Sequence, residues 1–266
     1  MLPRKSLGQH FLKNPSLLKK LVEYTELKDN DAVVEIGAGQ GDLTQILIQR
    51  AKYVYAFELD AFLYDSLRQK FSAAENLKLC RGDFLKARLQ DLQNDAGRKL
   101  RIIANIPYKI TAPLLTKFVK EKDAIEDCFI LMQREVAERL NARTSTHSYG
   151  SLSVLVQSYF KIDILKFVKS GSFAPPPKVE SAFVKLIPLQ IPAIKPELEG
   201  ELSRFLRFCF SKRRKTIKNI LAALNVPEFE NILNLLEIPR TARPEEFSPS
   251  IFAKLTEAVS KSLQNR

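Results

Sequence analysis

Between residues 32 and 132, short unbroken apolar runs alternate with stretches whose apolar positions recur every three or four residues. Ala32-Val33-Val34-Glu35-Ile36, Tyr53-Val54-Tyr55-Ala56-Phe57, Leu77-Lys78-Leu79-Cys80, Leu100-Arg101-Ile102-Ile103-Ala104 and Cys128-Phe129-Ile130-Leu131-Met132 predict strands. Helical spacing predicts helices from Leu43 to Arg50, from about Ala61 to Phe71, and from Thr111 to Lys120. This alternation predicts an α/β fold with a doubly wound, mostly parallel, Rossmann-like sheet. Such sheets bind ligands beyond the carboxyl ends of their strands, near the point where strand order reverses.

Further along, Val136 to Leu140 and Leu152 to Tyr159 predict short helices, and Ile164 to Val168 and Ala182 to Ile187 predict closing strands. Between those strands lies Phe173-Ala174-Pro175-Pro176-Pro177-Lys178. Consecutive prolines join neither a ladder nor a helix, so a stiff extended loop is expected. Pro188, Pro192 and Pro196 punctuate a linker, and the pattern from about Glu197 to Leu263 is helical throughout. The expected division is therefore a sheet domain over residues 1–190 and a small all-helical domain over 191–266.

Charge narrows the partners. The 266 residues carry a net charge of +12, which points to a polyanion, either nucleic acid or an anionic membrane. No apolar run approaches the length of a membrane span, and Met1-Leu2-Pro3-Arg4-Lys5 leads into no signal core. A cytoplasmic protein that meets nucleic acid is the expectation. Cys80, Cys128 and Cys209 have neither metal-ligand spacing nor a disulfide framework, so they read as free thiols and no metal is expected.

Chemistry-bearing residues gather where the strands are expected to end. Glu35-Ile36-Gly37-Ala38-Gly39-Gln40-Gly41 follows the first strand; its glycines permit a sharp turn and a close backbone approach to a ligand. A dinucleotide loop would read G-x-G-x-x-G. Here Gly37, Gly39 and Gly41 give G-x-G-x-G, which suits a ligand without a pyrophosphate, such as S-adenosylmethionine. Glu58 ends the second strand, where a carboxylate can accept both hydroxyls of a ribose. Asp83 follows the third strand and can accept from an adenine amine. Asn105-Ile106-Pro107-Tyr108 follows the fourth. The Asn105 side-chain carbonyl and the Ile106 backbone carbonyl can both accept from an exocyclic amine, and Tyr108 offers a ring for a base to stack on. On its own, Asn-x-Pro also initiates ordinary turns.

Together these stretches resemble the ribosomal RNA adenine N6-dimethyltransferases, and more closely the bacterial small-subunit branch. The resemblance covers nearly the whole chain. It rests on Leu7-Gly8-Gln9-His10-Phe11-Leu12, the Glu35 to Gly41 loop, Phe57-Glu58-Leu59-Asp60, Gly82-Asp83-Phe84, Asn105 to Tyr108, Phe173 to Ser181, and Arg213-Arg214-Lys215-Thr216-Ile217-Lys218-Asn219, in that order. It implies a Rossmann-like methyltransferase domain with S-adenosylmethionine as cofactor. Gln9, His10 and Leu12 would lie at its methionine end, with Gly37 and Gly39 approaching through backbone. Glu58 would hold the ribose, Asp83 the adenine, and Asn105 would bridge the cofactor end and the target amine. Tyr108 and Phe173 would sandwich the target base. The implied substrate is small-subunit rRNA in a pre-30S particle, dimethylated at two adjacent adenosines near its 3′ end by a monomeric enzyme. The chain begins almost at the first of these motifs, so any contact made by the N-terminal extension of some members is left open.

Leu202 to Pro227 contains no acidic residue and holds Arg204, Arg207, Lys212, Arg213, Arg214, Lys215 and Lys218. With Arg4, Lys5, Lys13, Lys19 and Lys20 near the N-terminus, it is the expected RNA-backbone surface. Rival readings are the large-subunit, drug-resistance dimethyltransferase, a non-enzymatic RNA-binding assembly factor, and an NAD dehydrogenase. The last is disfavoured by the loop spacing.

Overall fold

The computed structural model describes residues 10–264. Gln9 and the basic residues before it lie outside that range. Nine strands and eleven α-helices are described: β1 (Phe11–Leu12), α1 (Pro15–Glu23), β2 (Ala32–Ile36), α2 (Asp42–Leu47), β3 (Tyr53–Glu58), α3 (Ala61–Lys70), β4 (Leu77–Arg81), α4 (Leu89–Ala96), β5 (Leu100–Asn105), α5 (Thr111–Lys120), β6 (Ile125–Gln133), α6 (Arg134–Leu140), α7 (Ser151–Gln157), β7 (Phe160–Val168), β8 (Phe173–Ala174), β9 (Ser181–Pro188), α8 (Glu199–Ser211), α9 (Ile217–Ala223), α10 (Phe229–Leu235) and α11 (Pro249–Gln264).

Seven strands form one sheet in the order β4-β3-β2-β5-β6-β9-β7. Neighbours from β4 through β6 are parallel, and β9 runs antiparallel to β6. Every residue of β2 is buried. A central strand covered on both faces needs an unbroken apolar run rather than alternation, and β2 supplies one except at Glu35. The chain moves outward from β2 to β3 and β4, then returns to β5 on the other side of β2. That reversal opens a crevice at the carboxyl ends of β2 and β5.

At the other end of these strands sits a buried charge network that the apolar pattern concealed. Arg101 on β5 donates to both carboxylate oxygens of Asp127 at 2.8 and 2.9 Å, to Asp31 at 2.7 Å and to the Thr25 carbonyl. The guanidinium fork, satisfied on three sides, fixes β5 against β6 and against the loop entering β2.

The described residues divide into two compact units: one of residues 10–137 and 162–188, the other of residues 138–161 and 189–264. This corrects the expected boundary, because residues 138–161 belong with the helical unit although they precede the last sheet strands. α7 packs on α8, and Tyr149 donates its hydroxyl to the Phe247 carbonyl at 2.9 Å. The core of the helical unit is aromatic, with Phe205, Phe210 and Phe247 around Phe252. Compactness follows buried surface, and a helix of seven residues buries most where other helices face it.

Candidate active site

A cavity of about 290 Å³ opens at the strand-order reversal. Its size is at the lower end of small-molecule sites, roughly 300–1,000 Å³. Every candidate cofactor residue within the described range lines it: His10, Leu12, Gly37, Gly39, Glu58, Asp83 and Asn105.

The glycine loop closes on itself. Gly37, Gly39 and Gly41 all have positive φ, and Gly41 caps α2 in the left-handed conformation. At Gly39 a side chain is excluded twice over. Its φ is +58°, and a Cβ there would sit 2.7 Å from the Phe11 ring. Phe11 can therefore cross the loop closely, which carries β1 over the cavity.

Glu58 is buried, and its two carboxylate oxygens are committed singly. Gly39 N–H donates to one at 2.8 Å and Asp60 N–H to the other at 2.8 Å. A carboxylate offers about four lone-pair sites, so each oxygen retains one for a vicinal diol. Asp83 is similar: one oxygen accepts from Leu85 N–H at 2.9 Å, and the other is open to an amine. These arrangements suit an adenosine, whose diol and exocyclic amine are the complementary donors.

Glu35 lies beneath the loop. Burial is the main cause that pushes its carboxyl up to about 8; the nearby Glu58 adds to this, and the 2.6 Å hydrogen bond from the Thr44 hydroxyl opposes it. Below that pH Glu35 is a neutral acid, which spares the central strand an unpaired charge.

Asn105 ends β5, and its side-chain amide donates to the His10 carbonyl at 2.9 Å. That bond settles the orientation of the amide and leaves its carbonyl oxygen as the acceptor. Ile106 and Pro107 continue the cavity wall. Tyr108 is half-buried, with its hydroxyl 2.7 Å from Ser181 Oγ; burial raises its pKa.

Phe173 corrects the expectation. It is fully buried in the core with Leu21, Val33, Phe129 and Phe183, and does not line the cavity. The cause is local. Phe173–Ala174 is not loop but strand β8, paired antiparallel with Phe11–Leu12, and the pairing turns the ring inward. The ring that faces Tyr108 is His10, with centroids 5.6 Å apart and planes 28° from parallel. His10 Nδ1 lies 2.8 Å from the Pro175 carbonyl. The sequence hint was the pairing partner: Phe11-Leu12 is a short apolar pair before Asn14, which caps α1 by accepting from Ser16 and Leu17 N–H.

The basic segment divides. Arg207, Lys212, Arg214 and Lys215 are exposed. Arg213 is half-buried and donates to the carbonyls of His147 and Thr146 at 2.9 and 3.1 Å. Lys218 pairs with Glu230 at 3.3 Å. Those two are tied to the fold of the helical unit. Among the described residues, no helix is long and apolar enough to cross a membrane.

Comparison with known proteins decides the family. The pattern of ribosomal RNA adenine dimethylase matches residues 2–259. The chain belongs to this family. It is 37% identical over 257 residues to a ribosomal RNA small subunit methyltransferase A of Clostridium botulinum, covering 96% of this chain and 93% of that one. It is 38% identical over 261 residues to the protein of that name from Pediococcus pentosaceus, covering 95% and 88%. A crystal structure of a dimethyladenosine transferase from Plasmodium falciparum matches with a TM-score of 0.78 at 30% identity, covering 95% of this chain and 98% of that one. The 23S rRNA methyltransferase ErmE matches with a TM-score of 0.69 at 26% identity, covering 94% and 99%. This member of the dimethylase family is an S-adenosylmethionine-dependent methyltransferase acting on rRNA adenine.

Proposed function

We propose that this dimethylase transfers two methyl groups to N6 of each of two adjacent adenosines near the 3′ end of small-subunit rRNA, within a partly assembled particle in the cytoplasm. The observation that supports the chemistry is the Asn105 amide, which lines the cavity and donates to the His10 carbonyl, so that its side-chain oxygen remains an acceptor. The relatives named for the small subunit favour that RNA over the large-subunit alternative.

S-adenosylmethionine, when bound, supplies an activated methyl group on a sulfonium. Glu58, Asp83 and the backbone of Gly37 and Gly39 would hold it, with His10 and Leu12 closing over its methionine end. The chain's own task is the acceptor. The N6 lone pair of adenine is delocalised into the ring and poorly nucleophilic. The Asn105 side-chain carbonyl and the Ile106 backbone carbonyl accept from that amine, which favours a tetrahedral nitrogen and restores its lone pair. Positioning of this kind supplies at most roughly 7–11 kcal/mol of barrier reduction. The base must first leave its stack, which costs a few kcal/mol. Stacking on Tyr108, at roughly 1–3 kcal/mol, offsets part of that. Entry on the His10 face displaces the His10 ring, because 5.6 Å is less than the roughly 6.8 Å that two base-spacing gaps require. Arg207, Lys212, Arg214 and Lys215 would contribute phosphate contacts.

A labelled-methyl assay with purified protein and undermethylated small subunits tests this reading. Label should enter small-subunit RNA, and primer extension should stop at two adjacent adenosines. Label entering large-subunit RNA alone, or neither RNA, refutes the proposal. Affinity for the RNA should fall steeply with salt.

A further inference from the structure

A second aromatic surface lies at the same end of the sheet as Tyr108. Phe167, near the end of β7, is 48% exposed. At both ends of β7 burial alternates, with Phe160, Ile162 and Val168 buried and Lys161 and Phe167 exposed, so the pleat itself turns Phe167 outward. The Arg134 guanidinium lies over its ring, 4.6 Å from the centroid. Glu180 holds Arg134 in place, accepting from its side chain at 2.8 Å while the Glu180 carbonyl accepts from Arg134 N–H at 2.9 Å.

The register ties this stack to the catalytic tyrosine. Gln133, just before Arg134, is paired with Ser181 across β6 and β9. Ser181, just after Glu180, touches the Tyr108 hydroxyl. Glu180, which holds Arg134, is therefore the immediate neighbour in sequence of Ser181, which anchors Tyr108. Lys169 and Lys178, both exposed, extend positive charge along the neighbouring loops.

A half-exposed phenyl ring backed by a held guanidinium plane is the pair of surfaces on which unpaired RNA bases stack. We propose that Phe167 and Arg134 form a second stacking platform, which takes the unpaired nucleobase next to the target adenosine. This rests on the methyltransferase reading above. The flanking base is held while its neighbour stacks on Tyr108, and the platform sets which strand conformation the enzyme accepts.

The test uses the full chain and a small-subunit 3′-end RNA hairpin with 2-aminopurine beside the target adenosine. Wild-type protein should quench the probe on binding. Phe167→Ala should abolish the quench and raise the KM for RNA roughly tenfold, as expected for one lost stacking contact. Its kcat at saturating RNA and its cofactor affinity should be unchanged, and Phe167→Trp should restore the quench. An abasic site at the flanking position should cost wild type the same factor and cost Phe167→Ala nothing further. Quenching that survives Phe167→Ala, or an abasic penalty equal in both proteins, overturns the platform. So does a variant that binds the hairpin normally yet binds assembled subunits weakly, since that assigns the surface to a protein partner. Methylation of the hairpin by wild type separates these failures from failure of the proposed function.

Discussion

Asn105 stands between two halves of one site that are built differently. On the cofactor side, Gly39, Glu58 and Asp83 occupy the ends of consecutive strands, and backbone N–H groups fix each carboxylate. On the acceptor side, Tyr108 meets Ser181 from 73 residues away and His10 from 98 residues away, each through a single side-chain contact. The first half is set by turns at the ends of neighbouring strands, over at most 19 residues. The second depends on β1 pairing with β8 to bring the N-terminal segment over the pocket. The lesson is that strand ends carry binding residues by construction, whereas a base pocket must be closed by tertiary pairing.

Changing each half should expose that difference, with the largest effect on stability. Phe173→Ala is expected to destabilise the fold by about 3–5 kcal/mol, the cost of emptying a packed aromatic site. Tyr108→Ala should cost far less stability while weakening RNA use. Urea denaturation beside transfer kinetics separates the two, and a Phe173→Ala protein of wild-type stability would return Phe173 to the stacking role.

Asn105→Ala probes the junction. Turnover should fall roughly 10²–10³-fold, the scale for losing one preorganised hydrogen-bonding group. Cofactor affinity measured by isothermal titration should stay within an order of magnitude. Wild-type turnover would remove Asn105 from the mechanism.

The smallest effect concerns Glu35 beneath the cofactor loop. In the unfolded chain its carboxyl loses its proton near pH 4.5, and in the folded chain near pH 8. The folded state binds the extra proton between those values, so this stabilisation is complete below about pH 4.5 and is lost as pH rises through about 8. Glu35→Gln keeps an acceptor for Thr44 and cannot ionise. Its stability relative to wild type should rise by more than about 1.4 kcal/mol, one pKa unit, between pH 5 and pH 8.5. A pH-independent difference in denaturation midpoints would show that Glu35 is charged in the fold.

The basic segment repeats the lesson of the two halves. Its lack of acids marked seven cations for RNA, yet Arg213 and Lys218 are engaged by Thr146, His147 and Glu230 of their own unit. Acid-free stretches reveal local charge, and folding brings in partners from elsewhere.

Sequence by itself determined the parallel sheet, the order of its strand ends and the residues at them, because short apolar runs, glycine turns and Asn-x-Pro-Tyr act over a few residues. It did not reveal α1, which Asn14 caps, or the β1–β8 pair, since two-residue strands carry no periodic signal. Only the tertiary structure decided that Phe173 faces inward, that His10 faces Tyr108, and that residues 138–161 leave the sheet unit for the helical one. Each of those outcomes is fixed by which distant surface a segment buries, and burial depends on partners that no local pattern contains.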